Sequence, residues 1–93
     1  MAQMIVDPEE LLHFASFLDT ESEHLRQRMD AIHHDLASLG EDWRDDKFRK
    51  FAAIFERSTN KLGHFLEEAH EYADYLRHQA DVVFEYLDHG YPE

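Results

Sequence analysis

From Leu11 onward, core-type positions recur in alternating steps of four and three: Leu11, Ala15, Leu18, Ser22, Leu25, Met29, Ile32, Leu36 and Leu39. This is the seam of a helix packed along its length against another. A second series begins at Phe48 and runs Phe51, Phe55, Ser58, Leu62, Phe65, Ala69, Tyr72, Leu76, Gln79, Val83 and Tyr86. Ala52, Leu66, Ala73, Ala80 and Leu87 widen that stripe along one flank.

Local signals bound both helices. Asp7 is placed to cap the first, Pro8 suits its first position, and Glu10 stands three residues after the cap. Gly40 is the expected C-terminal cap. Asp45 or Asp46 is the expected cap of the second helix, and Gly90 with Pro92 marks its end. The prediction is one all-α domain over residues 1–93: helix one at about 8–39, a turn at 40–45 and helix two at about 46–88. The two helices form an antiparallel hairpin. At about 1.5 Å per residue its arms are roughly 48 and 64 Å long, so the last turns of helix two lack a full partner. Gly63 lies inside helix two on its outer face, marking a bend, a close helix approach or a tolerated glycine.

Off the seam, large apolar residues gather at the open end. Leu12, Phe14 and Phe17 supply them from helix one, and Tyr75, Val82, Phe84 and Leu87 from helix two. Two helices bury one face each, so this surface is expected to be a partner interface. The simplest partner is a second hairpin, completing a dimeric four-helix bundle.

Composition narrows the function. A chain of 93 residues makes one small domain, and pairing is a common remedy for the thin core of such a chain. A net charge of −12 repels phosphate backbones and anionic lipid surfaces, which excludes nucleic acid and membrane surfaces as expected partners. No apolar run approaches the roughly 18 residues of a membrane span. The start, MAQMIVDPEE, lacks the basic and apolar regions of a secretory signal, so the expected location is the cytoplasm, with export by a route without a cleaved signal left open. There is no cysteine, hence no disulfide, thiolate metal site or cysteine nucleophile. Ser16, Ser22, Ser38 and Ser58 sit within helical patterns, without a nucleophile elbow, and no glycine-rich phosphate loop occurs. No catalytic residue and no cofactor are expected.

Eight histidines raise the question of metal. Glu10 with His13, Glu21 with His24, and Glu67 with His70 are Glu-x-x-His pairs, the ligand pattern of carboxylate-bridged di-iron bundles. A ferritin-like metal-binding dimer is therefore the alternative reading. The register opposes it, because all three pairs fall off the seam, where ligands would not project into a bundle. His33 and His34 stand together before Asp35 as surface histidines. No metal ligands are assigned.

The lone tryptophan lies in the turn, in EDWRDDKFRKF. Two long helices with Trp43 between them, followed by Phe48, Phe51 and Phe55, resemble the WXG family, the ESAT-like helical hairpins of type VII secretion. The resemblance spans nearly the whole chain. It departs at one position: Asp45 stands where the family motif has glycine. An indole at this place is suited to fold over the open tip of the seam or to be recognised there, and Asp45 is suited to close the turn by capping helix two. The Tyr-x-x-x-Asp/Glu export signal of exported family members is only approximated, by FEYLD at 84–88 and YLRHQ at 75–79. The resemblance implies a non-enzymatic substrate, adaptor or chaperone of a type VII-like secretion system. Its implied partners are a second hairpin, identical or related, a larger secreted effector, and the secretion machinery with its ATPase.

Overall fold

The computed structural model describes residues 7–88. They form two helices, α1 (Pro8–Asp42) and α2 (Asp46–Asp88), joined by Trp43, Arg44 and Asp45. The expected end of the second helix at Gly90 and Pro92 lies outside the described residues. The arms pack antiparallel into a rod of 74 × 25 × 15 Å. Its radius of gyration is 20.8 Å, against roughly 12 Å for a compact chain of this length. A rod this thin gives each helix one neighbour only.

The entry to α1 follows from Asp7. Its side chain accepts from the Glu9 N–H at 2.9 Å, and its carbonyl accepts from Glu10 at 2.9 Å. Pro8, which has no N–H to satisfy, occupies the first turn. The exit corrects the expectation that Gly40 ends the helix. α1 continues to Asp42, and the Trp43 N–H still donates to the Leu39 carbonyl at 2.9 Å. Trp43 then turns to extended backbone, with φ −138° and ψ 106°. Gly40 is instead buried inside the helix, with the Phe48 ring lying on it. A Cβ at Gly40 would stand 2.6 Å from Phe48 Cζ, so glycine is there for close approach rather than for turning the chain. At Gly63, by contrast, a Cβ would meet nothing within 4 Å, so no close helix contact explains that residue.

The seam between the helices is rotated from the predicted one. Its buried members are Ala15 on α1 and Phe55, Leu66, Ala69, Ala73, Leu76 and Ala80 on α2. On α2 the line keeps Phe55, Ala69 and Leu76 of the predicted series and takes in Leu66, Ala73 and Ala80 from its flank, leaving Phe65 and Tyr72 outside. Phe51, Phe65, Tyr72 and Tyr86, expected inside, are each about half exposed, as are Leu25, Ile32 and Leu39 on α1. The physical reason is size. Helix axes approach only as closely as the side chains between them allow, and alanines allow the most. Leu11 and Leu18 pack on a cluster of Ala15, Ala73 and Leu76, and of the seam only Ala15, Ala73 and Ala80 are fully enclosed.

Candidate partner-binding surface

With the small residues turned inward, the large ones line one side of the rod. At about 100° per residue, Phe14, Leu25, Ile32 and Leu39 fall together on the same edge of the α1 seam. Phe51, Phe65 and Tyr72 fall on the matching edge of α2. The two edges meet: Phe14 and Leu18 of α1 and Phe65, Glu68, Ala69 and Tyr72 of α2 line one groove of about 270 Å³. Paired rings stiffen it, Phe14 with Phe17 at 6.3 Å and Tyr72 with Tyr75 at 6.0 Å between centroids. The exposed apolar surface is thus a stripe running the length of the hairpin, not a patch at the open end.

The residues expected at a partner interface are brought together in part. Phe14, Tyr75 and Val82 lie on the apolar side or its edge and are exposed. Phe17 is exposed but turned further from the seam, and Leu87 is exposed beyond the start of α1. Leu12 and Phe84 are half-buried and fall by helical phase on the opposite flank. Sequence reasoning missed Leu25, Ile32, Leu39, Phe51, Phe65 and Tyr72 as exposed residues by placing them in the seam. The missing signal was the pair of flank alanines at 73 and 80, which with Ala69 mark the line of closest approach.

The opposite side is polar. There Arg77 bridges the helices to Asp19 and bonds Asp74 at 2.9 Å. His70 stands between the same carboxylates, Nδ1 at 3.6 Å from Asp19 and Nε2 at 3.5 Å from Asp74. The hydrogen bond from Arg77 holds the Asp19 carboxyl below the usual carboxylate range, and Asp19 in return raises the Arg77 guanidinium. Nearer the turn, a groove of about 370 Å³ opens between His33 and Leu36 of α1 and Ala52 and Thr59 of α2. The His33 ring stacks on Phe55 at 6.3 Å, and the Thr59 hydroxyl is buried with no partner among the described residues.

The turn is built from its own charges. Asp45 Oδ1 accepts from the Phe48 N–H at 2.8 Å, capping α2 as expected. Arg44 Nε donates to the Gly40 carbonyl at 3.0 Å, and its guanidinium lies over the Phe48 ring at 5.9 Å. It supplies the cation that the acidic last turn of α1, with Glu41 and Asp42, lacks. Trp43 does not fold over the tip of the seam. Trp43 is 59% exposed, at the extended residue just past the end of α1.

The Glu-x-x-His pairs do not converge. Glu21 and His24 meet at 3.7 Å on an exposed face, Glu67 approaches His64, and His70 turns to Asp19 and Asp74. Among the described residues no group of three or more His, Asp or Glu is arranged to hold a metal ion. No described helix is long and apolar enough to cross a membrane.

The hairpin thus turns its alanines inward and leaves most of its aromatics exposed. The chain belongs to the WXG100 family, proteins of 100 residues with WXG, whose model matches residues 3–86. Among solved structures it is similar to the secreted protein EsxB of Bacillus anthracis. The wild-type form is 21% identical, with a TM-score of 0.81 over 92% of this chain and 100% of that one. A proline-to-alanine mutant of the same protein is 21% identical, with a TM-score of 0.82 over 92% and 97%. A glycine-to-alanine mutant is 23% identical, with a TM-score of 0.77 over 89% and 95%. At these identities the likeness establishes the fold. No curated protein matches the chain.

Proposed function

We propose that this chain is a non-enzymatic substrate, adaptor or chaperone of a type VII-like secretion system, acting through a four-helix bundle formed with a second hairpin. The partner hairpin is a separate small chain or part of a larger secreted effector. The observation that carries this reading is the full-length apolar stripe, which one hairpin leaves in water and two hairpins facing each other bury. The exposed Trp43 at the tip is offered to the secretion machinery, including its ATPase. In this reading the chain is made in the cytoplasm and leaves without a cleaved signal. The secreted character of EsxB supports that route.

The test is export of the tagged chain in its native host. Leu25→Glu with Phe65→Glu should abolish pairing and retain the protein in cells. Trp43→Ala should also retain it, while thermal unfolding stays unchanged because the indole packs on little of its own chain. If both variants reach the medium at the wild-type level, the reading is wrong.

A further inference from the structure

The side of the rod away from the apolar stripe carries an opening of its own. Every seventh residue keeps to one face of a helix in such a hairpin. His33 thus shares a face of α1 with Asp19 and Arg26, and Glu56 shares a face of α2 with Arg49, His70 and Arg77. The groove of about 370 Å³ between them lies on the polar side, and it stays open whether or not the stripe is covered. Its floor is apolar: Leu36 and Ala37 from α1, Ala52 and Phe55 from α2. The exposed His33 ring lies on Phe55 at 6.3 Å and 17°. Glu56 and Asn60 stand at the rim, the Thr59 hydroxyl in the same wall lacks a partner among the described residues, and no Lys or Arg lines the groove. Glu56 makes no ion pair among the described residues, and neither does Asp30, seven residues before Ala37 on the same face of α1. The cations of these faces are already engaged: Arg26 with Glu23 at 3.7 Å, Arg49 with Asp46 at 3.0 Å, and Arg77 with Asp19 and Asp74. Toward the open end the groove has no wall. Gly63 follows Glu56 on its face, and a Cβ there would meet nothing within 4 Å. Glycine is a poor helix residue, and no contact of the hairpin uses the space it leaves.

We propose that this groove takes an arginine side chain carried on a segment of another protein. An apolar slot with an uncompensated carboxylate at its rim suits a side chain that is apolar along its stem and positive at its end, which means lysine or arginine. Arginine fits this groove better. Its flat guanidinium continues the stack that His33 makes on Phe55, and its forked N–H donors match the Glu56 carboxylate and the Asn60 side-chain oxygen together. A lysine ammonium meets the carboxylate but has no plane to lay on the rings. An acidic side chain is repelled by Glu56, and a neutral one gains nothing from it. The arginine comes from outside the hairpin, because the cations on this side are engaged and Lys47, Lys50, Arg57 and Lys61 fall by helical phase on the other flank of α2. The gap at Gly63 lets the backbone of the docking segment run on along the rod. A net charge of −12 draws a basic segment in from a distance, while the exposed Glu56 contributes selectivity more than affinity.

The experiment is an NMR titration of the full chain, labelled with nitrogen-15. The probe is a blocked pentapeptide with arginine at its centre and leucine on either side. Two control peptides replace the arginine with citrulline, which keeps the stem and loses the charge, or with lysine. The arginine peptide should bind with a Kd on the order of 1 mM and shift amides at 33–37 and 52–60. The citrulline and lysine peptides should each bind at least about 5-fold more weakly. Glu56→Gln should weaken the arginine peptide by a similar factor and leave the citrulline peptide unchanged. Ala37→Phe with Ala53→Phe fills the groove from two exposed positions, so it should abolish binding while the helix content seen by circular dichroism is retained. All these positions lie away from the stripe, so sedimentation of the variants should match the wild type, which separates this site from the paired-hairpin reading. Equal binding of the citrulline or the lysine peptide overturns the assignment to arginine. An unaffected Glu56→Gln, or shifts scattered over distant acids such as Glu21 and Glu71, overturns the site itself and leaves only attraction to an acidic rod.

Discussion

Gly40 and Phe48 touch across the turn, and the contact leaves no room for a methyl group: a Cβ on Gly40 would stand 2.6 Å from Phe48 Cζ. The same ring carries the Arg44 guanidinium, and Arg44 bonds the Gly40 carbonyl. Three residues thus close the tip of the hairpin around one missing side chain. Alanine at this position would gain about 1 kcal/mol of helix propensity. It would lose about 1–3 kcal/mol to overpacking, since Phe48 is half-buried and must move. Gly40→Ala is therefore expected to destabilise the fold by about 1 kcal/mol net. Gly63→Ala faces open space and should stabilise by about 1 kcal/mol. Thermal unfolding of the two variants against wild type checks the opposite signs.

The division of labour between small and large residues predicts a second contrast. Ala73 is fully enclosed between the helices, so Ala73→Leu inserts bulk at the line of closest approach and should cost about 1–3 kcal/mol. Phe65 is half exposed on the other register of the same helix. Phe65→Glu should leave the helicity of the hairpin intact and reduce its association. Circular dichroism and sedimentation on both variants separate the effects. Loss of helicity in Phe65→Glu with retention in Ala73→Leu would mean that the aromatic line, not the alanine line, is the seam.

These contrasts show where the sequence was legible. Element type was plain, because steps of three and four persist through both arms and Asp7 and Asp45 cap them in the expected way. The seam was not, because α2 carries two overlapping apolar registers, 48-51-55 and 48-52-55, and hydrophobicity alone favours the one with more phenylalanine. Packing favours the one with more alanine. Trp43 misled for a related reason. Its size suggested burial, whereas its position one residue past the last turn of α1 and its extended backbone decide its exposure. Gly40 read as a helix end because glycine serves both as a cap and as a gap, and only Phe48 tells the two apart.

Thr59 predicts a gain from losing a polar atom. Its hydroxyl is buried in the groove beside His33 and Phe55 without a partner among the described residues. Valine has the same shape and lacks that oxygen. A buried unsatisfied hydroxyl costs about 1–3 kcal/mol, and the groove is open on one side, which reduces the cost. Thr59→Val should therefore be neutral to stabilising, by up to about 1 kcal/mol, in thermal unfolding. A marked loss of stability would mean that the hydroxyl bonds a group at this groove in solution.

Asp19 and Arg77 make the last prediction, and its sign follows from the direction of the Asp19 shift. Arg77 holds the carboxyl below its ordinary value of 3.8, so the pair contributes stability above that pH. The contribution is lost as pH falls through the lowered value. Arg77 is raised above its ordinary value and stays charged throughout the working range. Both side chains are about one-third exposed, so solvent screens the pair, and a contribution of about 0.2–1 kcal/mol is expected. His70 and Asp74 share the cluster, and a cross-helix contact at this point also fixes how α1 and α2 slide past each other. Asp19→Asn should lower the unfolding midpoint at pH 7 by a degree or a few, and the gap to wild type should narrow as pH falls below 3.8 and through the lowered value. The general effect of acid on a chain of net charge −12 is common to both proteins, so the difference isolates the pair. A gap that persists unchanged at pH 2–3 would show that Asp19 acts through packing or hydrogen bonding of its neutral form, and not through the ion pair.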